Sequence, residues 1–335
     1  ESKLKAIALL GDSGDPQVAA LLAPLAKEGG PVQEAAEKAL AKIKKSEFSG
    51  EILGNVIAGF SYGSILLLCA LGLAITYGLI GVINMAHGGF YLLSGYLAWT
   101  VTDRTGSWAL GIAVGAIALG LIGTFVYVAL LRKFQYEELR VALITLGVSL
   151  VLAQAMLAIF GGEYYQTNIP KSLKNTVPIP GLGLSYPFFR IFVLILAILV
   201  AIGLWVFISK TRYGAIIRAG VDDTTMVSAL GINVQAVFIW IFFLGSLLVG
   251  FAGAVGGTTN SFGMGTDGDY LLFSLQVVII GGLGSIGGVA IGSFLVGVIG
   301  QFATGYYPTF AGIITFAMLI LILAFRPQGI LGKKQ

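Results

Sequence analysis

The chain has 335 residues, of which 57% are hydrophobic and 11% are charged, and its formal net charge is +4. Because soluble domains carry about 25% charged residues, this composition excludes an ordinary soluble enzyme or binding domain. Asp, Glu, Lys and Arg are absent from 52–102, 224–266 and 270–325. About 20 apolar residues cross a bilayer, and each charge at its centre costs several kcal/mol. The pattern therefore predicts a polytopic membrane protein in contact with lipid.

Residues 1–50 differ from the rest of the chain, because they are rich in charge and show a helical pattern. Apolar residues recur along them at spacings of three and four. Asp15-Pro16 predicts the start of a helix, and Gly29-Gly30 predicts its end. The pattern resembles a HEAT repeat, a helix pair that stacks on similar neighbours. Since one repeat cannot bury its own apolar face, we expect this HEAT-like segment to continue an array or to dock on another surface.

Residues 51–335 form the second predicted domain, a bundle of transmembrane helices. Two of its hydrophobic segments are irregular. His87 and the two glycines after it interrupt one segment, and another is short and ends in Gly281-Gly282, as expected of a re-entrant or half-length helix. The expected fold class is therefore all-α, a polytopic bundle with about eight or nine spans. The predicted segments are 52–77, 82–102, 107–131, 139–160, 189–209, 235–257, 270–283, 286–303 and 308–325.

Basic residues in three connecting segments, 132–140, 210–218 and 326–334, predict the orientation of the bundle. The positive-inside rule places all three on the cytoplasmic side, so the long segment 161–188 lies outside. Nine crossings then place the N-terminal segment outside, and eight place it inside. Lysines next to the first span favour the inside, but a cleaved signal peptide would deliver the segment across the membrane first. We expect the N-terminal segment to be extracytoplasmic.

Side chains that carry out catalysis or bind metals are scarce. The sequence holds one His, one Cys and none of the HExxH, Walker A or GxSxG motifs. Cys69 lies alone in an apolar run, which favours a packing role. Asp267 and Asp269 are expected in a solvated loop at the mouth of a segment. We therefore expect no catalytic residue, no metal site and no cofactor. The basic residues lie between spans rather than on one face, so no nucleic-acid partner is expected either.

The interrupted second segment contains the run INMAHGG, which breaks an otherwise apolar helix. A broken helix leaves backbone N–H and C=O groups free to bind a polar solute. The alternative for His87 is that it caps the break and packs between helices. Taken with the glycines, the run favours a solute pathway, and its candidate residues are Asn84, His87, Gly88 and Gly89.

The polar run RYGAIIRAGVDDTTMVSALGIN, residues 212–233, lies between two spans on the predicted inside. It is either an ordinary cytoplasmic loop or a short helix that docks into a groove of a partner protein. Small residues followed by a glycine favour docking. The candidate residues for this contact are Arg218, Asp222, Asp223, Ser228, Ala229 and Gly231.

Four runs occur together in one order: INMAHGG at 83–89, the insert at 218–233, GGLGSIGG at 281–288 and RPQGILG at 326–332. In this order they resemble the permease subunits of ABC importers for branched-chain amino acids and their relatives. The family commonly has Glu where Gly89 stands, so no role is taken over from that acid. The N-terminal extension and the run GSILLLCALGLAITYG are similar to the urea-type branch, whereas residues 258–297 are closer to the amino-acid branch.

The resemblance implies a multi-pass transport subunit of the bacterial inner membrane that is not itself an enzyme. It implies a second, homologous permease beside this chain and two ABC ATPase subunits that push on the coupling segment, 218–233. It also implies an extracytoplasmic binding protein that delivers the solute. The implied solute is a branched-chain amino acid, or urea or a short amide.

The competing hypotheses are a channel and a secondary carrier for a small neutral solute. A proton-driven carrier is expected to hold ionisable groups in mid-membrane, and only His87 qualifies there. A channel for a neutral solute needs no charge, so composition does not exclude it. The coupling-like insert favours an ATP-driven importer over both.

Overall fold

The computed structural model is almost entirely α-helical, which confirms the predicted fold class. In the part of the chain that the structure describes, the strands form one two-stranded sheet. The chain divides into two compact units, Glu1–Ala58 with Lys174–Phe188, and Gly59–Leu173 with Phe189–Gln335. The structure describes residues 2–13, 16–81, 83–135, 137–179, 184–222, 231 and 233–332.

The first unit contains a small helical cluster. Its elements are α1 (Ser2–Asp12), α2 (Pro16–Leu22), a short 3₁₀ helix (Leu25–Lys27) and the first part of α3 (Gly30–Ile80). So small a core cannot stabilise an independent domain. The HEAT-like character of the segment stays a prediction. The buried residues of the cluster are Ile7, Leu22, Ala36, Ala39 and Ile43.

The connection between α2 and α3 differs from the predicted one. α2 starts at Pro16 as predicted, but it ends at Leu22 rather than at Gly29. Gly29 and Gly30 take left-handed φ values of +86° and +69°, a region that glycine enters without steric cost. The two glycines turn the chain into α3 instead of ending α2.

Helix α3 runs without interruption from Gly30 to Ile80, a length of 51 residues. At 1.5 Å per residue this is about 75 Å. The sequence predicts a boundary between residues 50 and 51, but only single glycines mark it, and each costs a helix only about 1 kcal/mol. The division between the two units falls inside this helix, at Ala58 and Gly59.

A β-hairpin also belongs to the first unit. Strands β1 (Thr176–Ile179) and β2 (Leu184–Pro187) pair antiparallel. The hydroxyl of Tyr186 donates to the carbonyl oxygen of Ile57, 3.3 Å away. The sequence predicts only a connecting segment over 161–188, because each four-residue strand contains a proline, which weakens a strand prediction.

Most membrane-crossing helices belong to the second unit. Among the described residues, seven helices are long and apolar enough to cross a bilayer. Two further predicted segments are helices outside this set of seven. α4 (His87–Thr105) has 19 residues but ends in polar ones, and α10 (Thr266–Gly281) has only 16 residues. Those 16 residues span about 24 Å, less than the ~30 Å hydrocarbon core. The remaining helices are α5 (Trp108–Val126), α6 (Glu138–Phe160), α7 (Phe188–Lys210), α8 (Arg212–Asp222), α9 (Val234–Thr259), α11 (Ile286–Tyr306) and α12 (Ala311–Phe325).

The break in the predicted second segment precedes His87 instead of including it. Gly81 has a φ of +76° and ends α3, and α4 starts at His87. Gly88 and Gly89 therefore lie in the first turn of α4. The predicted position is wrong by several residues, because sequence alone does not distinguish a left-handed glycine from a helical one.

The centre of the second unit is formed by α4, α5 and α9, which approach closely at small residues. A Cβ added to Gly253 of α9 would lie 2.1 Å from the carbonyl oxygen of Tyr91 in α4, so this crossing requires glycine. One turn away, Ser94 Oγ of α4 donates to the carbonyl oxygen of Gly250. In lipid, helix association depends on such packing and on hydrogen bonds between helices.

The C-terminal end of α10 is capped by residues far along the chain. The backbone N–H groups of Ile330 and Leu331 donate to the carbonyl oxygens of Ile280 and Gly281, at 2.8 and 3.0 Å. Gly282 follows with a φ of +99°. The runs GGLGSIGG and RPQGILG, which look independent in the sequence, thus form one contact, and their glycines serve packing there.

Helices α6 and α7 expose apolar side chains. Ile159 of α6 is 68% exposed and Leu199 of α7 is 60% exposed. In water, apolar surface of this kind promotes aggregation, whereas in a bilayer it can contact acyl chains. These two helices therefore present apolar surfaces that suit a bilayer.

Candidate functional site

The break between α3 and α4 is closed by side-chain hydrogen bonds. Asn84 Oδ1 accepts from the N–H of Ala86 at 3.0 Å, and its carbonyl oxygen accepts from the N–H of His87 at 3.2 Å. From α6, Thr145 Oγ1 accepts from the N–H of Met85 at 3.0 Å. Inside a membrane, every backbone polar group needs a partner. These bonds allow the break to be buried.

His87 is fully enclosed by protein, with 1% of its surface exposed. Its Nε2–H donates to the carbonyl oxygen of Cys69 in α3 at 2.8 Å. The Sγ of Cys69 in turn accepts from Ser274 Oγ of α10 at 3.1 Å. The three residues form a polar chain across α4, α3 and α10 in an apolar core. This geometry agrees with the alternative interpretation of His87, in which it packs between helices, and with a packing role for Cys69.

Gly88 and Gly89 make the first turn of α4 a point of contact with two other helices. A Cβ on Gly88 would lie 1.8 Å from the carbonyl oxygen of Asp267 in α10, and a Cβ on Gly89 would lie 3.2 Å from Ser149 Oγ in α6. A side chain at position 88 would therefore push α10 away. The structure brings the four predicted pathway residues together at a junction of α3, α4, α6 and α10.

The two acidic residues near the junction lie in the first turn of α10 rather than in the predicted loop. Asp267 and Asp269 thereby face the positive end of the helix dipole, which stabilises the start of this short helix. Among the described residues, no group of three or more His, Cys, Asp or Glu side chains is placed to hold a metal ion.

The polar insert between α7 and α9 forms a helix, α8, over its first half. Ile217 is buried on one face and Arg218 is exposed on another, so the helix is amphipathic, as a docking element requires. Gly231 is exposed and has a φ of +79°. Of the other candidates, Asp222 is the last residue of α8, while Asp223, Ser228 and Ala229 lie outside the described residues.

A cavity of about 280 Å³ lies within the second unit, where α3, α10, α11 and α12 adjoin. The sequence alone does not reveal this cavity, because its lining comes from separate elements that only folding brings together. The available signal is a pair of polar residues inside an uncharged span of α11. The polar lining residues are Tyr62, Asn260, Gln301, Thr304 and Thr315, and the apolar ones include Phe273 and Val296.

Comparison with known protein families gives a match over most of the chain. Residues 55–323 match the family described as branched-chain amino acid transport system / permease component. The match covers the break, the insert and the cavity described above, and it leaves out most of the N-terminal helical cluster. No solved structure gives a significant match.

Individual relatives agree with the family. The chain is 29% identical over 302 residues to the high-affinity branched-chain amino acid transport system permease protein BraD of Pseudomonas aeruginosa. This alignment covers 84% of this chain and 96% of BraD. The chain is 28% identical over 315 residues to the permease protein LivH of Escherichia coli K12, with the same coverage. It is 24% identical over 293 residues to LivM of that organism, and this alignment covers 80% of this chain and 68% of LivM. The relatives are named as permeases, which are transport subunits and not enzymes. The chain belongs to the family of permease components of branched-chain amino acid transport systems.

Proposed function

We propose that this chain is the permease subunit of an ATP-driven ABC importer and that its solute is a branched-chain amino acid. The observation that carries the proposal is the family match over residues 55–323, which covers nearly the whole membrane domain. The scarcity of ionisable side chains within the spans supports the same conclusion, because a carrier driven by protons needs such groups. The energy then comes from partner ATPase subunits.

Branched-chain amino acids are favoured over urea and short amides by the names of the relatives. BraD and LivH are both named for branched-chain amino acid transport. The similarity to the urea-type branch depends largely on the N-terminal extension. Most of that extension lies outside the matched residues, so it is weak support for a different solute.

We infer three kinds of protein partner. LivH and LivM, two differently named permeases of one organism, both match this chain, which supports a second, homologous permease. Two ABC ATPase subunits would contact α8 and the residues after it. An extracytoplasmic binding protein would deliver the solute to the opposite face.

The test of the function is uptake by reconstituted complex. Proteoliposomes would contain this chain, its second permease and the ATPase subunits, with the binding protein on the outer side. Uptake of labelled leucine is expected to require ATP and to exceed uptake of labelled urea. Leucine uptake that is equal without ATP contradicts an importer and supports a channel, and a preference for urea contradicts the proposed solute.

We also propose that Asn84, His87, Gly88 and Gly89 support the wall of the solute pathway. His87→Ala is expected to lower the rate of uptake per folded complex more than it lowers folding yield, because it removes the hydrogen bond that joins α4 to the backbone of α3. His87→Gln, whose amide can donate to Cys69, should keep more of the rate. Uptake and folded yield are measured on the same preparations. If uptake per folded complex is unchanged while thermal stability collapses, His87 is purely structural.

Coupling to the ATPases is proposed to depend on the segment that contains Arg218, Asp222, Asp223, Ser228, Ala229 and Gly231. Gly231→Pro is expected to abolish solute-stimulated ATP hydrolysis without loss of membrane insertion, because proline cannot adopt the φ of +79°. Gly231→Asn is the matched control, since asparagine tolerates left-handed φ, and it should retain stimulation. Ala229→Trp, which adds bulk to the docking segment, should act like the proline variant. Normal stimulation in both Gly231→Pro and Ala229→Trp would rule out this role.

The N-terminal helices are proposed to lie outside the membrane on the side of the binding protein. If 132–140 is cytoplasmic, this orientation needs only that α3, α4 and α5 each cross once. The 19 residues of α4 span about 28 Å, close to the hydrocarbon thickness. The short helix α10 does not affect this count, because it follows later in the chain.

The orientation is tested with Ser13→Cys in a Cys69→Ala background. Ser13 is exposed at the end of α1, so a membrane-impermeant thiol reagent should label the new cysteine in cells whose outer barrier has been opened. A cysteine introduced at exposed Lys133, in the segment 132–140, serves as the cytoplasmic control and should label only after lysis. Labelling of Ser13→Cys only after lysis would place the segment in the cytoplasm.

A further inference from the structure

We propose that the cavity where α3, α10, α11 and α12 adjoin is a solute-binding site of this permease and that it holds an aliphatic amino acid as a zwitterion. The proposal rests on the proposed function, which supplies the solute class. The cavity measures about 280 Å³, just below the ~300 Å³ at which pockets for drug-sized molecules begin. A solute with a short aliphatic side chain and two small polar groups suits that space.

One part of the lining is polar without being charged. Tyr62 contributes a phenol, Asn260 and Gln301 contribute amides, and Thr304 contributes a hydroxyl. Each amide donates through its N–H groups and accepts through its oxygen. Such groups can serve a carboxylate and an ammonium group at once. Within the described part of the chain, the lining contains no charged side chain, so a solute with a net charge would meet no opposite charge here.

Another part of the lining is apolar. Phe273 of α10 and Val296 of α11 belong to it, and the ring of Phe273 meets the ring of Tyr62 edge-on, with 6.3 Å between centroids. The phenol of Tyr62 therefore adjoins the apolar wall. An aliphatic side chain can cover this wall, whereas urea has no apolar part to place against it. The lining thus favours the amino acid over the amide solutes.

Two glycines in the lining allow the cavity to be filled by mutation. A Cβ on Gly312 meets no atom within 4 Å, and a Cβ on Gly300 meets only Thr315 Cγ2, at 3.7 Å. Larger side chains can therefore start from either position without a clash. Gly203 of α7 also has open space around its Cβ and is not part of the cavity, so it is the matched control.

The first test is leucine uptake by the complete reconstituted complex carrying Gly312→Leu, Gly300→Val or Gly203→Leu. Filling the cavity should raise the KM for leucine about tenfold, comparable to the loss of one good contact, with a smaller effect on the maximal rate. Gly203→Leu should leave the KM unchanged. Rates are taken per assembled complex, so a variant that folds poorly does not imitate a binding defect.

The second test removes polarity instead of space. Gln301→Leu keeps the size of the side chain and deletes its amide, so leucine should bind about tenfold more weakly if the amide contacts a charged group of the solute. If wild-type complex takes up leucine and all three cavity variants keep its KM, the cavity assignment is wrong while the proposed function stands. If wild-type complex takes up no leucine, the proposed function is wrong, and so is the assignment of the cavity as a leucine-binding site.

Discussion

Contact between helix backbones in a medium without water is the constraint on which this structure depends. Lipid offers no hydrophobic gain for pressing one apolar helix against another, so association relies on close packing and on polar contacts. Gly88 and Gly253 make such close packing possible, because at each of them a carbonyl oxygen of a neighbouring helix occupies the place of a side chain. These contacts fix how closely α4 approaches α9 and α10, and the junction around His87 depends on that approach.

The same medium explains the polar residues at the junction. A break in a membrane helix leaves N–H and C=O groups that need partners. Asn84 supplies one from within the break and Thr145 supplies another from α6. His87 adds a bond from α4 to the backbone of α3. The run INMAHGG is thus understood first as the chemistry of a buried turn, and a contribution to transport would act through the helices that this turn holds together.

The sequence predicts the spans well, because a stretch of membrane length without any charge is rarely compatible with a surface that faces water. It also predicts the short helix α10 from its length. The sequence does not show that one helix runs through the predicted boundary at residues 50 and 51, because two separate helices would give the same apolar pattern on either side of it. Nor is the break placed correctly, because the left-handed φ of Gly81 depends on the contacts that bury the turn. The cavity is beyond prediction from one sequence, since Tyr62 and Gln301 are far apart in the chain and meet only in the folded unit.

The cap on α10 has a consequence for the order in which the protein is completed. The carbonyl groups of Ile280 and Gly281 are paired by residues that follow them by 50 positions, and α11 and α12 lie between. At roughly 5–20 residues per second, synthesis reaches the capping residues about 2.5–10 s after α10 has been made. Until then the last turn of α10 has to find hydrogen bonds elsewhere, in water or in the insertion machinery. The hydrogen bonds at the end of α10 are therefore completed only after two later helices have been made. A chain that ended before Ile330 would still contain α10 but would lack the residues that cap it.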